Sequence, residues 1–154
     1  MNYVVDMPRK NVPPPLELVK SRIEELMPPE ANEEIGSGDV LVVDVRDPER
    51  FEAGHVEGAL NVSSGESARD AHDPRFAKAV EAAVGAKDKR LLLFCGQGNR
   101  SARTADALAN EHGFEHVASV IGGVKLWDDL GYPVDGEVVV GDEDAETGME
   151  GDSD

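Results

Sequence analysis

Apolar positions in this chain fall into short continuous runs separated by stretches with helical spacing, and taken in order they predict alternating helices and strands. After Pro13-Pro14-Pro15, which forbids a regular helix, Leu16, Val19, Ile23 and Leu26 recur at helical spacing, and Pro28-Pro29 is expected to stop that helix. Glu30 to Asp39 reads as a polar connection. The run Val40-Leu41-Val42-Val43-Asp44-Val45 is β-branched and does not alternate, as expected of a strand buried on both faces. Asp47-Pro48 supplies a cap and a first-turn proline for a short helix, Glu49 to Ala53, ended by Gly54. A turn, His55 to Gly58, leads to a second strand, Ala59 to Val62, and then to a loop rich in Ser, Gly and Asp, Ser63 to Asp73.

Asp73-Pro74 opens a helix carrying Phe76, Val80 and Val84 one turn apart, closed by Gly85. Arg90 to Phe94 is the third strand. Ser101 to His112 is a helix with Ala102, Ala105, Leu108 and Ala109 on one face and Gly113 as its cap. Val117 to Val120 is the fourth strand, and Gly122-Gly123 turns into a helix from Val124 to Leu130. Val138 to Val140 is a further short extended piece. Beyond Gly141 the chain is acidic and Gly-rich, with too little apolar surface to offset the entropy of ordering.

This alternation predicts a single α/β domain over residues 16–134, with a mainly parallel, buried sheet flanked by helices on both faces. An irregular segment, 1–15, precedes it, and an acidic, largely disordered tail, 135–154, follows. Ligands of such sheets bind outside the carboxyl ends of the strands.

The composition agrees with one domain: 154 residues, 40% hydrophobic and 31% charged. The net charge of −17 is unevenly spread, since residues 135–154 hold nine of the 32 acidic residues and none of the 15 Lys and Arg. Such a field repels phosphate, which argues against nucleic acid and anionic membranes as partners. The acid excess is open to two readings, solubility or adaptation to high salt. One cysteine rules out an internal disulfide and a zinc-cysteine cluster. No apolar run approaches the roughly 18 residues of a membrane span, and the N-terminus lacks a signal-peptide pattern, so a cytoplasmic protein is expected.

That cysteine opens the segment Cys95-Gly96-Gln97-Gly98-Asn99-Arg100-Ser101, at the carboxyl end of a buried strand and just before a helix. Two glycines let the backbone curl so that its N–H groups converge, and the helix N-terminus and Arg100 add positive potential. Each favours thiolate over thiol, the condition for a cysteine nucleophile. A buried, inert cysteine is the plain alternative, and its placement between strand, glycines and arginine argues for catalysis instead. Tyrosine-phosphatase-type loops carry one residue more between cysteine and arginine. The tighter cradle suits a single transferred sulfur atom better than a phosphoryl group.

The chain resembles the single-domain rhodanese, or thiosulfate sulfurtransferase-like, family. The matching pieces are Asp44-Val45-Arg46, Phe51, Gly54-His55-Val56-Glu57-Gly58-Ala59-Leu60-Asn61, the cysteine loop through Ala102, and Gly122-Gly123 through Trp127. They run in order over about Leu16 to Pro133. Two features depart from the family: Glu57 stands where proline is common, and the loop Ser63 to Asp73 matches nothing.

The resemblance implies sulfur transfer in two steps through a Cys95 persulfide, without a cofactor. The donor would be thiosulfate or a persulfide, and the acceptor a thiol, a dithiol or a protein. It implies Cys95 as the catalytic residue, with Gly96, Gln97, Gly98, Asn99 and Ser101 holding the transferred sulfur through their backbone and Arg100 orienting the donor. Arg46 is a further candidate at the same sheet edge, with an ion pair to Asp44 or Asp47 as its structural alternative. His55 reads as a hydrogen-bonded turn histidine, Trp127 as core, and Gly122-Gly123 as the far wall of the pocket. His112 and His116 have metal-ligand spacing, but Gly113 is expected to end the helix between them, so no metal site is expected. Two other classes remain open: a non-catalytic rhodanese-like binding module, and a thiol-based phosphatase or arsenate reductase. With no second cysteine, sulfur must leave to an external acceptor.

Overall fold

The computed structural model describes residues 13–65 and 67–139. The expectations for the first twelve residues and for the tail beyond Val139 lie outside them. Among the described residues seven strands form: β1 (Glu24–Leu26), β2 (Leu41–Asp44), β3 (Gly54–Val56), β4 (Leu60–Asn61), β5 (Arg90–Phe94), β6 (His116–Val120) and β7 (Val134–Gly136). Five of them make one sheet in the order β1-β6-β5-β2-β4, and every pairing in it is parallel. β3 and β7 pair antiparallel as a separate ribbon.

The α-helices of the described residues are α1 (Leu16–Ser21), α2 (Pro28–Ser37), α3 (Pro48–Ala53), α4 (Pro74–Val84), α5 (Asn99–Glu111) and α6 (Gly123–Asp129). A short 3-10 helix spans Ala68–His72. Because side chains alternate across a strand, the two faces of the sheet carry different sets of apolar residues. Val43, Leu91, Leu93 and Val117 face Phe76 and Val80 of α4 and Ala105 and Leu108 of α5. Val42, Leu92, Phe94, Ala118 and Val120 face Ala31 of α2 and Val124 and Trp127 of α6. The sheet is therefore covered on both faces, as the unalternating strand sequences predict.

The main departure comes early in the chain. In place of one helix from Leu16 to Leu26, α1 stops at Ser21 and Glu24–Leu26 becomes the edge strand β1, paired with β6. Pro28-Pro29 starts a helix instead of stopping one. Proline lacks an N–H that the first turn would leave unpaired anyway, and the Glu30 carboxylate accepts from the Met27 N–H at 2.9 Å. The stretch expected as a polar connection is thus α2. His55, expected in a turn, lies in β3, and β7 forms at Val134–Gly136, ahead of the extended piece expected over Val138 to Val140, whose last residue lies outside the described residues. The Glu137 N–H extends that ribbon by donating to the Ala53 carbonyl at 2.7 Å, so packed structure continues past the expected boundary at residue 134.

The sequence predicts α5 as amphipathic, yet it is buried nearly all round from Ser101 to Leu108, between the sheet, α1 and the 3-10 helix. Its polar side chains tolerate burial because they are hydrogen-bonded. Asp106 accepts from Arg22 Nε at 2.7 Å and Nη2 at 2.8 Å, and from Asn110 Nδ2 at 2.8 Å. Burial alone would raise the Asp106 pKa, but these bonds and the Arg22 charge outweigh it and hold the carboxyl below its ordinary value. Arg103 Nη1 donates to the Pro14 carbonyl at 2.6 Å. The helix whose first turn meets Cys95 is therefore fixed from several sides.

Candidate active site

Cys95 follows the last residue of β5 and is 1% exposed. Its Sγ accepts the backbone N–H of Gly98 and that of Ser101, both at 3.1 Å. Sγ also donates to Ser101 Oγ at 3.4 Å. Gly98 is the N-cap of α5, so the sulfur sits against the positive end of a helix of 13 residues. Two convergent N–H donors and a helix terminus stabilise negative charge on sulfur.

The loop is shaped from behind by the turn into α6. The Val124 N–H donates to the Cys95 carbonyl at 2.8 Å, and the Lys125 N–H donates to the Gly96 carbonyl at 3.1 Å. Tying these carbonyls away from the sulfur leaves N–H groups to face it. The turn needs glycine. Gly123 has φ +61°, and a Cβ there would lie 2.4 Å from the Cys95 carbonyl oxygen. Gly98 has φ +104°, and its Cβ would come within 2.9 Å of the Gly122 nitrogen. Gly122-Gly123, expected as a wall of the pocket, is thus a brace beneath the loop.

The remaining loop residues divide by exposure. Gly96 and Gly98 are buried, Gln97 is exposed, and Asn99 and Arg100 are half-buried at the start of α5. Arg46, the candidate substrate contact at this sheet edge, is sealed inside the fold. It is 0% exposed, and its guanidinium is committed to Asp44, with Nη2 to Oδ2 at 2.8 Å, and to the Gly54 carbonyl at 2.7 Å. Such a side chain holds the edge of the sheet; the ion pair with Asp44 is the structural alternative raised by the sequence. Asn61 reinforces that edge by donating to the carbonyls of Asp44 and Arg46.

His55 stacks on Phe51 with ring centroids 3.9 Å apart, and its Nδ1 lies 2.7 Å from the Phe51 carbonyl oxygen. Trp127 packs edge-on against Phe94, and its Nε1 donates to the Pro133 carbonyl at 2.9 Å. His112 is the C-cap of α5 and His116 opens β6, so the two do not share a helical face. The unmatched loop Ser63 to Asp73 is tied to the sheet by the Ser64 N–H, which donates to the Val45 carbonyl at 3.0 Å. With Arg75 and Phe76 it lines a cleft of about 380 Å³.

Sequence reasoning misses one residue that the fold brings to the site. Ser119 on β6 is 0% exposed, and its Oγ lies 2.8 Å from Ser101 Oγ. The available signal is a lone polar residue at an inward-facing position in an otherwise apolar run, Val117-Ala118-Ser119-Val120.

The chain is 33% identical over 99 residues to the thiosulfate sulfurtransferase GlpE of Ectopseudomonas mendocina, covering 64% of this chain and 80% of that protein. It is 38% identical over 95 residues to protein HIGH ARSENIC CONTENT 1, mitochondrial, of Arabidopsis thaliana, covering 60% of this chain but only 55% of that protein. The tRNA uridine(34) hydroxylase of Escherichia coli matches at 33% identity over 101 residues, 66% of this chain, and the chain spans only 27% of that relative. Among solved structures, a Rhodopseudomonas palustris protein of unknown function, described as a possible tyrosine phosphatase, superposes with a TM-score of 0.61 at 32% identity. That match covers 78% of this chain and 90% of the other. A thiosulfate sulfurtransferase from Pseudomonas aeruginosa shares the fold, with a TM-score of 0.65 at 17% identity over 81% of this chain and 22% of that one. Residues 27–130 match the rhodanese-like domain, and the chain belongs to that family.

Proposed function

We propose that this protein is a sulfurtransferase that carries a sulfane sulfur as a persulfide on Cys95. The observation that supports this most directly is the pair of 3.1 Å bonds from the Gly98 and Ser101 N–H groups to the sulfur, at the N-terminus of a long helix. In the first step the Cys95 thiolate attacks the outer sulfur of thiosulfate. The new Sγ–S bond forms as the old S–S bond breaks, and sulfite leaves with the bonding electron pair. In the second step a thiolate, or cyanide in an assay, attacks the outer persulfide sulfur. The Sγ–S bond breaks and returns its electrons to Cys95 as thiolate. Neither step needs a general base once the thiolate exists, so His55 has no role in it.

The backbone of Gly96, Gln97, Gly98, Asn99 and Ser101 cradles the transferred sulfur, and Arg100 orients the anionic end of the donor through its forked N–H groups. A donor that is itself a persulfide is held by the same loop. Chemistry of this kind suits a cytoplasmic enzyme that hands sulfur to an external thiol, dithiol or protein acceptor. Intact mass after incubation with thiosulfate tests the reading. One added sulfur atom, removed by cyanide and absent in Cys95→Ser, is expected. No adduct from thiosulfate or from a protein persulfide sinks the enzyme in favour of a binding module.

A competing reading, thiol-based chemistry on phosphate or arsenate, is favoured by the description of the Rhodopseudomonas structure and by the name of the Arabidopsis relative. The loop argues against it, because only Gly96, Gln97, Gly98 and Asn99 separate Cys95 from Arg100. Hydrolysis of p-nitrophenyl phosphate, or release of arsenite from arsenate in the presence of a thiol, would reverse the preference.

A further inference from the structure

Under Cys95 the structure holds a chain of hydroxyls that the proposed sulfur transfer does not itself require. Ser101 Oγ touches three groups: Cys95 Sγ at 3.4 Å, the Gly98 carbonyl at 3.2 Å and Ser119 Oγ at 2.8 Å. A hydroxyl has one proton to donate and two lone pairs with which to accept. While Cys95 is a thiol, its S–H can donate to Ser101 Oγ, and Ser101 directs its own proton to Gly98 or Ser119. A thiolate has no proton to give and must receive. Ser101 can turn its O–H toward the sulfur only by abandoning its other acceptors. Ser119 then compensates by donating its own O–H into the Ser101 oxygen.

We propose that Ser119 is a positioning residue that, through Ser101, orients a hydroxyl proton onto the charged sulfur of Cys95. Three features of the fold support it. Ser119 lies on the sheet face that carries Leu93 and Cys95, because it pairs with Leu93 in the β5–β6 register and side chains alternate along each strand. It is 0% exposed, so water does not compete for its proton. Burial of a hydroxyl among apolar side chains is costly unless the group is bonded, and its partner here is the hydroxyl beside the nucleophile. The relay differs from the backbone cradle because it adapts: N–H groups point one way permanently, while two hydroxyls switch direction as the sulfur gains or loses charge.

The proposal rests on Cys95 working as a thiolate, and its test uses no sulfur donor. Cys95 is the only cysteine, so the ultraviolet absorbance of the thiolate, taken as a difference against Cys95→Ser, titrates that one group without requiring access to it. Ser101→Ala is expected to move the midpoint up by about one pH unit, the scale of losing a bond to a charged group. Ser119→Ala is expected to move it up by about half a unit in the parent protein. In the Ser101→Ala background the same change is expected to move it no further. Ser119→Thr, which keeps the hydroxyl, restores the parent midpoint.

A Ser119→Ala midpoint equal to the parent's overturns the relay. So does a shift that adds in full to that of Ser101→Ala, or one that Thr fails to rescue. A purely packing role for Ser119 would lower the melting temperature and leave the titration unmoved, which also overturns it. If the midpoints move as expected but no sulfur adduct forms, the relay stands and the sulfurtransferase reading fails.

Discussion

The two ends of β5 meet opposite electrostatic demands with opposite means. At its amino end Arg90 is gripped by side chains: Glu34 accepts from Nε at 2.8 Å and Nη2 at 2.9 Å, and Glu24 from Nη1 at 2.8 Å and Nη2 at 3.0 Å. At its carboxyl end Cys95 is held by backbone N–H groups, with the loop's carbonyls drawn off by α6. Side-chain charges neutralise one another and leave nothing to react. Backbone dipoles, fixed by the fold, favour a charge on sulfur without cancelling it, which is what the proposed nucleophile requires. On the proposed function one end of the strand serves stability and the other chemistry, and each can be broken separately.

The largest effect is expected at the carboxyl end. Gly123→Ala must force a side chain into left-handed backbone and against the Cys95 and Gly96 carbonyls. A loss of about 3 kcal/mol in urea unfolding is expected, with sulfur transfer falling out of proportion to the fraction unfolded. Transfer at the parent rate in the folded fraction would mean that the brace does not shape the loop.

Next comes the clamp on the helix that supplies the cradle. Arg22→Ala leaves the buried Asp106 carboxylate with Asn110 as its remaining side-chain donor, and a loss of about 2 kcal/mol is expected. Asp106→Asn in the same background should recover part of it, because the uncompensated charge is gone.

At the amino end, Arg90→Ala is expected to cost about 1 kcal/mol at neutral pH and to leave sulfur transfer per folded molecule unchanged. Here pH sharpens the comparison. The Arg90 guanidinium holds the Glu34 carboxyl below its ordinary value of 4.5 by hydrogen bonding and charge, against the opposing effect of burial. A depressed carboxylate contributes stability that is complete above its unfolded pKa and fades as pH falls through the folded one. The difference between parent and Arg90→Ala should therefore be full at pH 7 and shrink steadily below about pH 4.5, read as the gap between two urea midpoints. A gap that widens in acid would reverse the assignment.

The smallest effect is expected from Arg75→Ala. Its hydrogen bonds lower the Asp73 pKa to about 2, yet the Arg75 side chain is 90% exposed and the pair is screened by solvent. No measurable change in melting temperature is expected. A loss comparable to that of Arg90→Ala would show that exposure is a poor guide to which ion pairs matter.

The parts of the fold legible in the sequence are those in which local pattern and tertiary demand agree. Val40–Val45 and Arg90–Phe94 do not alternate because both of their faces are covered, and Asp73-Pro74 with Gly85 brackets α4 as cap and stop. Leu16–Leu26 is not one helix because its last residues gain more by pairing with β6 than by extending α1, and helical spacing records nothing of a partner strand nearly a hundred residues away. Pro28-Pro29 is ambiguous in the sequence because the same residue breaks a helix from inside and starts one at its first turn.

The site divides in the same way. The chain's own order of residues puts one cysteine at the end of a buried strand, with glycines and an arginine between it and a helix, where backbone N–H groups converge. Strand end, turn and helix start are local features written in consecutive residues. Two further features arise from packing alone: Gly123 braces the loop from behind, and Ser119 lies beneath Ser101. Each of these depends on which elements become neighbours, and that is set by burying two apolar faces at once, a condition no single stretch of the chain contains.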